Sequence, residues 1–246
     1  MDALKKIGKL FKKAGKNESK AAAITHHEQE AAATQLTKLK DAAKHLEDAR
    51  EELARRDYTL AKSDAEDLVD DSLKDIKRDL ESLRHEAATL EKESKESGEL
   101  LKKTKELLVN HFKDATAKEN TALAEAEEID IQELHVLKER LLPLANELQH
   151  ELQRLEKAVL DLGKDGPGVK HKVDQAHDDF RTSLKKLWDV ENQVRSMLQN
   201  IEKAVDRAAA ENEQLKEKIL SFLKERKEKL SYKGGLEEIQ KSNIGW

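Results

Sequence analysis

The feature that most constrains this chain is a long heptad-like repeat of apolar residues in its last third. Sixteen positions between 169 and 222 recur at three- and four-residue steps, and the mean step is about 3.5 residues. That period places all of them on one narrow helix face and is typical of the contact seam of a left-handed supercoil. Asn212 is the one polar member, and polar seam residues often fix the register of packed helices. The seam comprises Val169, Val173, Ala176, Phe180, Leu184, Leu187, Val190, Val194, Leu198, Ile201, Val205, Ala208, Asn212, Leu215, Ile219 and Phe222.

Shorter runs with the same spacing occur earlier in the chain and indicate further packed helices. Between the first two runs the phase slips, so a kink or break near residues 58–63 is one of two options that the spacing leaves open. The runs are Ala32, Leu36, Leu39, Ala43, Leu46 and Leu53; then Val69, Leu73, Ile76, Leu80, Leu83, Ala87 and Leu90; then Leu141, Leu144, Leu148, Leu152, Leu155, Val159 and Leu162.

Composition supports long helices over a mixed fold. Charged residues make up 39% of the chain and aromatic residues 3%, with two prolines and nine glycines in 246 residues. This balance is typical of coiled coils and long helices, and no sustained alternation of apolar and polar residues marks a strand. We therefore predict an all-α fold.

Helix-breaking residues divide the chain into segments. Breaks are expected at residues 15–19 (GKNES), at Ser97 and Gly98, at residues 163–168 (GKDGPG) and at Gly234 and Gly235. The prediction is an elongated antiparallel bundle of three long helices (17–233; helices about 20–97, 99–162 and 169–232), preceded by a short amphipathic N-terminal helix (1–16) and followed by a tail (234–246). Pro143 lies inside the second helix and is expected to bend it. Because so narrow a bundle buries little core, we also expect a homodimer or higher self-assembly.

The first sixteen residues differ from the rest of the chain in charge. They carry six lysines and one aspartate, a formal charge of +5, while the whole chain carries −5. As a helix this segment has two faces, the pattern of a helix that lies flat on a membrane surface, and we expect it to be disordered in solution and helical on lipid. The predicted membrane-inserting residues are Leu4, Ile7, Leu10 and Phe11, and the predicted headgroup-binding residues are Lys5, Lys6, Lys9, Lys12, Lys13 and Lys16.

This organisation resembles the BAR-domain proteins, of the N-BAR and eisosome types. The segment LKKIGKLFKKAGK looks like their membrane-inserting leading helix, and it precedes long helices of which one contains Pro143 and two are joined by a Gly-Pro turn. The resemblance covers most of the chain and rests on pattern. It implies a crescent-shaped dimer that binds and bends membranes.

Chemistry-bearing motifs are absent from the sequence. It has no cysteine, no phosphate-binding glycine loop, no GxSxG and no HExxH. We therefore predict no enzyme, no catalytic residue, no metal and no cofactor. No apolar run approaches the length that spans a bilayer, so we expect a cytoplasmic, peripheral membrane protein whose partner is an anionic phospholipid membrane rather than a nucleic acid.

Other functions fit the pattern less well but stay open. A structural coiled-coil protein would form filaments or link protein partners, with the basic segment binding one of them. A lipid-carrying bundle usually has a wider apolar face and a signal peptide, and a helical pore-forming toxin needs a longer apolar segment.

Overall fold

The computed structural model describes residues 2–111 and 121–242, with the side chains of residues 5–110, 121–222, 224 and 225. Every regular element within these residues is helical and none is a strand, which confirms the all-α class. The α-helices are α1 (Asp2–Arg55), α2 (Lys62–Leu68), α3 (Lys74–His111), α4 (Thr121–Val136), α5 (Leu142–Asp165) and α6 (Lys170–Ser242).

Two π-helical turns join neighbouring helices end to end. Val69–Leu73 connects α2 to α3, and Leu137–Leu141 connects α4 to α5. The described chain therefore forms four long helical segments: α1, α2–α3, α4–α5 and α6. A short 3₁₀ turn, Gly166–Val169, leads from the third segment into the fourth.

Polar contacts show that α1 runs antiparallel to both of its neighbours. Along α6, Arg181 Nε lies 3.3 Å from Glu47 Oε1, whereas Asn212 reaches Glu18 near the other end. Along α3, His27 Nδ1 lies 2.9 Å from Glu93 Oε2, and Lys38 pairs with Glu86, which is earlier in α3.

The α4–α5 segment likewise runs antiparallel to its two neighbours, α3 and α6. Lys105 Nζ on α3 lies 2.7 Å from Glu127 Oε2 on α4. Arg207 on α6 pairs with Glu125 on α4 at 2.9 Å, and Arg154 on α5 pairs with Asp179 at the start of α6 at 3.2 Å. The four segments thus alternate in direction around a shared core, which is the arrangement of an up-down-up-down bundle.

These helix boundaries differ from the expected three. The segment 20–97, for which the sequence left open one helix or a break near residues 58–63, is divided at residues 56–61, where Asp57 and Tyr58 adopt left-handed φ values of 52° and 56°. Conversely, α1 continues through residues 15–19 and α3 through Ser97 and Gly98. The end expected at Gly234 and Gly235 is wrong as well, because α6 continues through both glycines to Ser242. The boundary expected at Gly98 is wrong because this glycine packs closely inside the bundle, as described below.

Pro143 is accommodated by the π turn before it. Proline lacks an N–H and its ring clashes with the carbonyl four residues back, so it disrupts a regular α-helix. The π turn Leu137–Leu141 ends two residues before Pro143 and inserts an extra residue into the helix. The buried seam there takes two four-residue steps, from Leu137 to Leu141 to Ala145.

The core-facing positions of α1 follow an unbroken heptad pattern. Thirteen positions alternate in steps of three and four, and all are buried. Four of them are polar, so this seam is only partly the apolar run that the sequence indicated. The positions are Phe11, Ala14, Glu18, Ala21, Thr25, Glu28, Ala32, Gln35, Leu39, Ala42, Leu46, Ala49 and Leu53.

The apolar core forms two separate clusters. The larger lies around the middle of the bundle and the α5–α6 turn, and it includes Leu46, Leu80, Leu148 and Phe180. The smaller lies at the other end and includes Phe11, and it contains 13 of the described residues, six of them alanine, against 33 in the larger. Polar side chains occupy the layer between the two clusters, so the two ends of the bundle have distinct cores.

Candidate functional site

The strongest charge feature of the fold is a row of exposed lysines on α1. Residues 2–20 contain seven lysines and two acidic residues. All seven lysine side chains are exposed, and none forms an ion pair with another described residue. Some lysines elsewhere are paired, as Lys38 is with Glu86 and Lys105 with Glu127. The exposed row comprises Lys5, Lys6, Lys9, Lys12, Lys13, Lys16 and Lys20. We call this end of the molecule the basic end.

One segment at the opposite end of the bundle is acidic. Residues 57–75, which include most of the α1–α2 connection, contain seven acidic residues and two lysines. Because α1 spans 54 residues at 1.5 Å each, the basic row and this acidic segment lie several tens of ångströms apart. The molecule therefore has a charge asymmetry between these two segments.

The predicted inserting residues occupy different environments. Phe11 is buried at 6% exposure in the smaller core cluster, together with Ala14. Ile7 is partly buried and packs against the same cluster, and Leu10 is partly buried. The side chain of Leu4 lies outside the described residues.

This placement follows from the register of α1. Leu4, Ile7, Phe11 and Ala14 are spaced by three, four and three residues, which extends the buried seam of the helix towards its N-terminus. The stripe interpreted from sequence as a membrane face is thus in register with the bundle core. Leu10 lies outside that register. In this structure the segment is a packed part of α1, which differs from the expectation of a disordered leader.

A groove of about 600 Å³ runs between α1 and α6 at the basic end. Small residues line its α1 side at seven-residue intervals, because Gly8, Gly15 and Ala22 follow one another at heptad spacing. A Cβ atom added at Gly8 or Gly15 would meet no atom within 4 Å. On the α6 side the groove is lined by residues that include Val205 and Ala209. The two helices are therefore loosely apposed at the basic end.

The groove also reaches a buried polar pair. Asn212 Nδ2 donates a hydrogen bond to Glu18 Oε1, and the two residues are 5% and 4% exposed. Burial raises the pKa of Glu18, while the hydrogen bond from Asn212 opposes that rise. Asn212 is buried in the seam, as the sequence pattern predicts. Its partner was missed because the apolar pattern of α1 does not mark Glu18, although the heptad register does.

The described residues form neither a metal site nor a membrane-spanning helix. No group of three or more histidine, aspartate or glutamate side chains within residues 5–110 and 121–225 is arranged to hold a metal ion. None of the helices as described is both long and apolar enough to cross a bilayer.

Comparison with known proteins gave no match among protein-family models, curated proteins or solved structures.

Proposed function

We propose that this protein binds anionic membranes peripherally through its basic end. The observation that carries the proposal is the row of seven exposed lysines on α1 that have no ion-pair partner among the described residues. Each lysine close to an anionic leaflet contributes about 1 kcal/mol of attraction. Such a row is sufficient for reversible electrostatic docking without any inserted side chain.

Insertion requires a second step, because the apolar stripe already has a partner. Phe11 and Ala14 pack against α6, so they reach lipid only if the first turns of α1 separate from the bundle. The small, alanine-rich cluster and the open groove keep the cost of that separation low. Once free, Leu4, Ile7, Leu10 and Phe11 lie on one face and bury in the headgroup boundary, while the lysines remain at the phosphates.

Membrane bending and self-assembly belong to the same proposal. A helix inserted into only one leaflet acts as a wedge and favours positive curvature. The effects of many bundles on one surface add together. Among the described residues the exposed large apolar side chains are Val109, Ile131 and Phe222. These three offer little continuous apolar surface, so we expect bundles to associate on the membrane more readily than in solution, as a homodimer or a larger array.

The test measures binding to vesicles of phosphatidylserine and phosphatidylcholine, with pure phosphatidylcholine vesicles as reference. The variant Lys5→Gln, Lys9→Gln, Lys12→Gln leaves the seam of α1 intact. Its matched control, Lys40→Gln, Lys44→Gln, Lys77→Gln, removes three exposed lysines from the body of the bundle. At about 1 kcal/mol per lysine, the first variant should bind about a hundredfold more weakly and the control should bind like the unaltered protein.

Point substitutions are preferable to removing residues 1–16. That truncation also deletes Phe11 and Ala14 from the core and would confuse unfolding with lost binding. Electron microscopy of the same vesicles then reports on shape. If the unaltered protein does not bind acidic vesicles, or if both triple variants lose binding equally, the membrane proposal is wrong.

A second function is favoured by the charge asymmetry. The basic end of one bundle complements the acidic 57–75 segment of another, which permits head-to-tail filaments. Sedimentation velocity would then show salt-sensitive polymers without lipid. Polymers in solution, combined with no binding to acidic vesicles, would favour this structural role over the membrane role.

A further inference from the structure

The layer between the two apolar clusters consists of polar residues from three helices. Two successive seam positions on each helix are polar, and all six side chains are at most 2% exposed. On α6, Leu198 and Ile201 belong to the clusters on either side. We call these six residues the carboxyl layer: Thr25 and Glu28 on α1, Ser94 and Ser97 on α3, and Asp130 and Glu133 on α4.

The carboxyl groups of this layer are poorly compensated. Glu28 Oε1 and both carboxyl oxygens of Glu133 have no hydrogen-bond partner among the described residues, and neither do the hydroxyl groups of Thr25 and Ser94. None of the three carboxyl groups forms an ion pair with a described lysine, arginine or histidine. Buried charge without a partner is strongly unfavourable, so the folded layer favours neutral, protonated carboxyl groups.

The charged groups around the layer do not alter its preference for protonated carboxyl groups. On α3, Glu93 faces Glu28 and is paired with His27. On α4, Glu127 faces Asp130 and is paired with Lys105. On α6, Glu202 accepts a hydrogen bond from Gln29 at 3.0 Å.

The pKa values of all three carboxyl groups are raised, chiefly by burial. Burial, with repulsion from Glu133, Asp130 and Glu93, raises the pKa of Glu28 to about 10. Burial raises the pKa of Asp130 to about 7, against a smaller opposing contribution from the Ser97 hydroxyl. Burial and the neighbouring Asp130 raise the pKa of Glu133 well above its usual value.

We propose that the carboxyl layer is a proton-dependent latch on the basic end: protonated, it holds α1 closed on the bundle, and deprotonated, it lets the first turns of α1 separate. The layer lies between two distinct cores, so the smaller cluster can open while the larger stays packed. The latch rests on the proposed membrane function, since release of the apolar stripe on α1 is the step that insertion needs.

The direction of the effect follows from proton linkage. In the open state the carboxyl groups meet water and titrate near 4, whereas in the closed state they titrate higher, so closing binds protons. The closed state is therefore favoured at low pH and weakens as pH rises through neutrality. Each carboxyl group that is ionised when open but protonated when closed raises the opening constant by up to about tenfold per pH unit.

Hydrogen exchange of the full chain, without lipid, tests the latch. Protection factors are corrected for intrinsic exchange and compared at about pH 6 and about pH 8.5. The amides of residues 5–25 should lose at least about tenfold in protection at the higher pH, while those of residues 39–53, beside the larger cluster, should stay better protected than them at both pH values.

Two variants isolate the carboxyl groups. In the triple variant Glu28→Gln, Asp130→Asn, Glu133→Gln the layer stays polar but cannot ionise, so most of the pH dependence should disappear. Only the contribution of Glu18, whose pKa is also raised by burial, should remain. The control Glu30→Gln, Asp41→Asn, Glu51→Gln alters three exposed acids of α1 and should keep it. If the triple variant does not fold, Asp130→Asn alone should reduce the dependence around neutrality.

The outcomes separate the two proposals. Protection that does not depend on pH in the unaltered protein, or a pH dependence of the same size in the triple variant, overturns the latch. Binding to phosphatidylserine vesicles is then measured at both pH values, and binding that is stronger at about pH 8.5 only when the layer can ionise supports the latch. If residues 5–25 show the expected pH-dependent protection but the protein binds vesicles at neither pH, the membrane function is overturned and the conformational latch stands.

Discussion

Gly98 on α3 lies directly against the carboxyl group of Asp130 on α4. A Cβ atom at position 98 would lie 3.2 Å from Asp130 Cγ and still closer to Oδ2. Asp130 is 2% exposed and has little room to move. The glycine thus allows α3 and α4 to approach at the carboxyl layer, which explains why it occurs inside a helix where glycine is intrinsically unfavourable.

Gly98→Ala should therefore destabilise the bundle. Alanine gains about 1 kcal/mol of helix propensity, but overpacking against a buried side chain costs about 1–3 kcal/mol, so we expect a net loss of about 1 kcal/mol. Gly15→Ala is the matched control, because its Cβ meets open space, and it should stabilise by up to about 1 kcal/mol. Urea unfolding monitored by circular dichroism measures both, and equal stabilisation by the two variants would contradict the close packing at Gly98.

Leu10 and Phe11 should separate membrane contact from core packing. Phe11 is in the buried seam, so Phe11→Ala should lower the free energy of unfolding by about 3 kcal/mol, at the low end for a buried phenylalanine because the site is near a helix end. Leu10 is partly buried and outside the seam, so Leu10→Ala should cost less than about 1 kcal/mol.

On acidic vesicles the Leu10→Ala variant should still bind several-fold more weakly, since it loses interfacial burial. Thermal unfolding and vesicle sedimentation of the same preparations provide the two readouts. A Leu10→Ala variant that binds lipid like the unaltered protein would show that the lysines act alone.

The all-α class and most of the α6 seam were predictable from sequence because both rest on dense apolar residues. The seam positions from Val173 to Leu215 are buried as expected, whereas Phe222 is 61% exposed. The seam of α1 was predictable only in part. A search for apolar residues passes over Glu18, Thr25, Glu28 and Gln35, which interrupt the apolar pattern without interrupting the heptad register. A search for the register itself, starting from Phe11, would have found them.

The division into four segments was predictable only in part, because the phase slip between the apolar runs left a break near residues 58–63 as one of two options. The α1–α2 connection contains neither glycine nor proline, and its left-handed residues are Asp57 and Tyr58, so no helix-breaking residue marks it. Ser97 and Gly98 resemble a break, yet their small size serves packing against Asp130. Whether a glycine ends a helix or allows a neighbouring helix to approach closely depends on tertiary contacts, and the local sequence does not specify these contacts.

The contact between Tyr58 and Asp174 should stabilise the acidic end. Tyr58 is 6% exposed, and its hydroxyl donates a 2.8 Å hydrogen bond to Asp174 Oδ1. Tyr58→Phe removes this bond but keeps the ring under Lys170 Nζ, which lies 4.4 Å from its centroid. We expect a loss of about 1 kcal/mol in urea unfolding, and a variant of unchanged stability would show that water replaces the bond fully.

Glu191 on α6 should make the body of the bundle sensitive to alkaline pH. It is fully buried, and the Gln35 amide, oriented to donate, lies 3.0 Å from its Oε2. Burial, with repulsion from Glu86, raises the pKa of Glu191 to about 8. The folded state therefore holds a proton that the unfolded state releases above its ordinary pKa near 4.5.

Its stabilising effect is complete below about pH 4.5 and is lost progressively up to about pH 8, at up to about 1.4 kcal/mol per pH unit. Glu191→Gln cannot ionise, so its melting temperature should exceed that of the unaltered protein at about pH 8.5 and approach it at about pH 5. The exposed substitution Glu213→Gln controls for the change in net charge and should leave the pH profile of melting unchanged. A Glu191→Gln profile parallel to that of the unaltered protein would show that Glu191 stays ionised in the fold, with water or a rearranged Gln35 stabilising its charge.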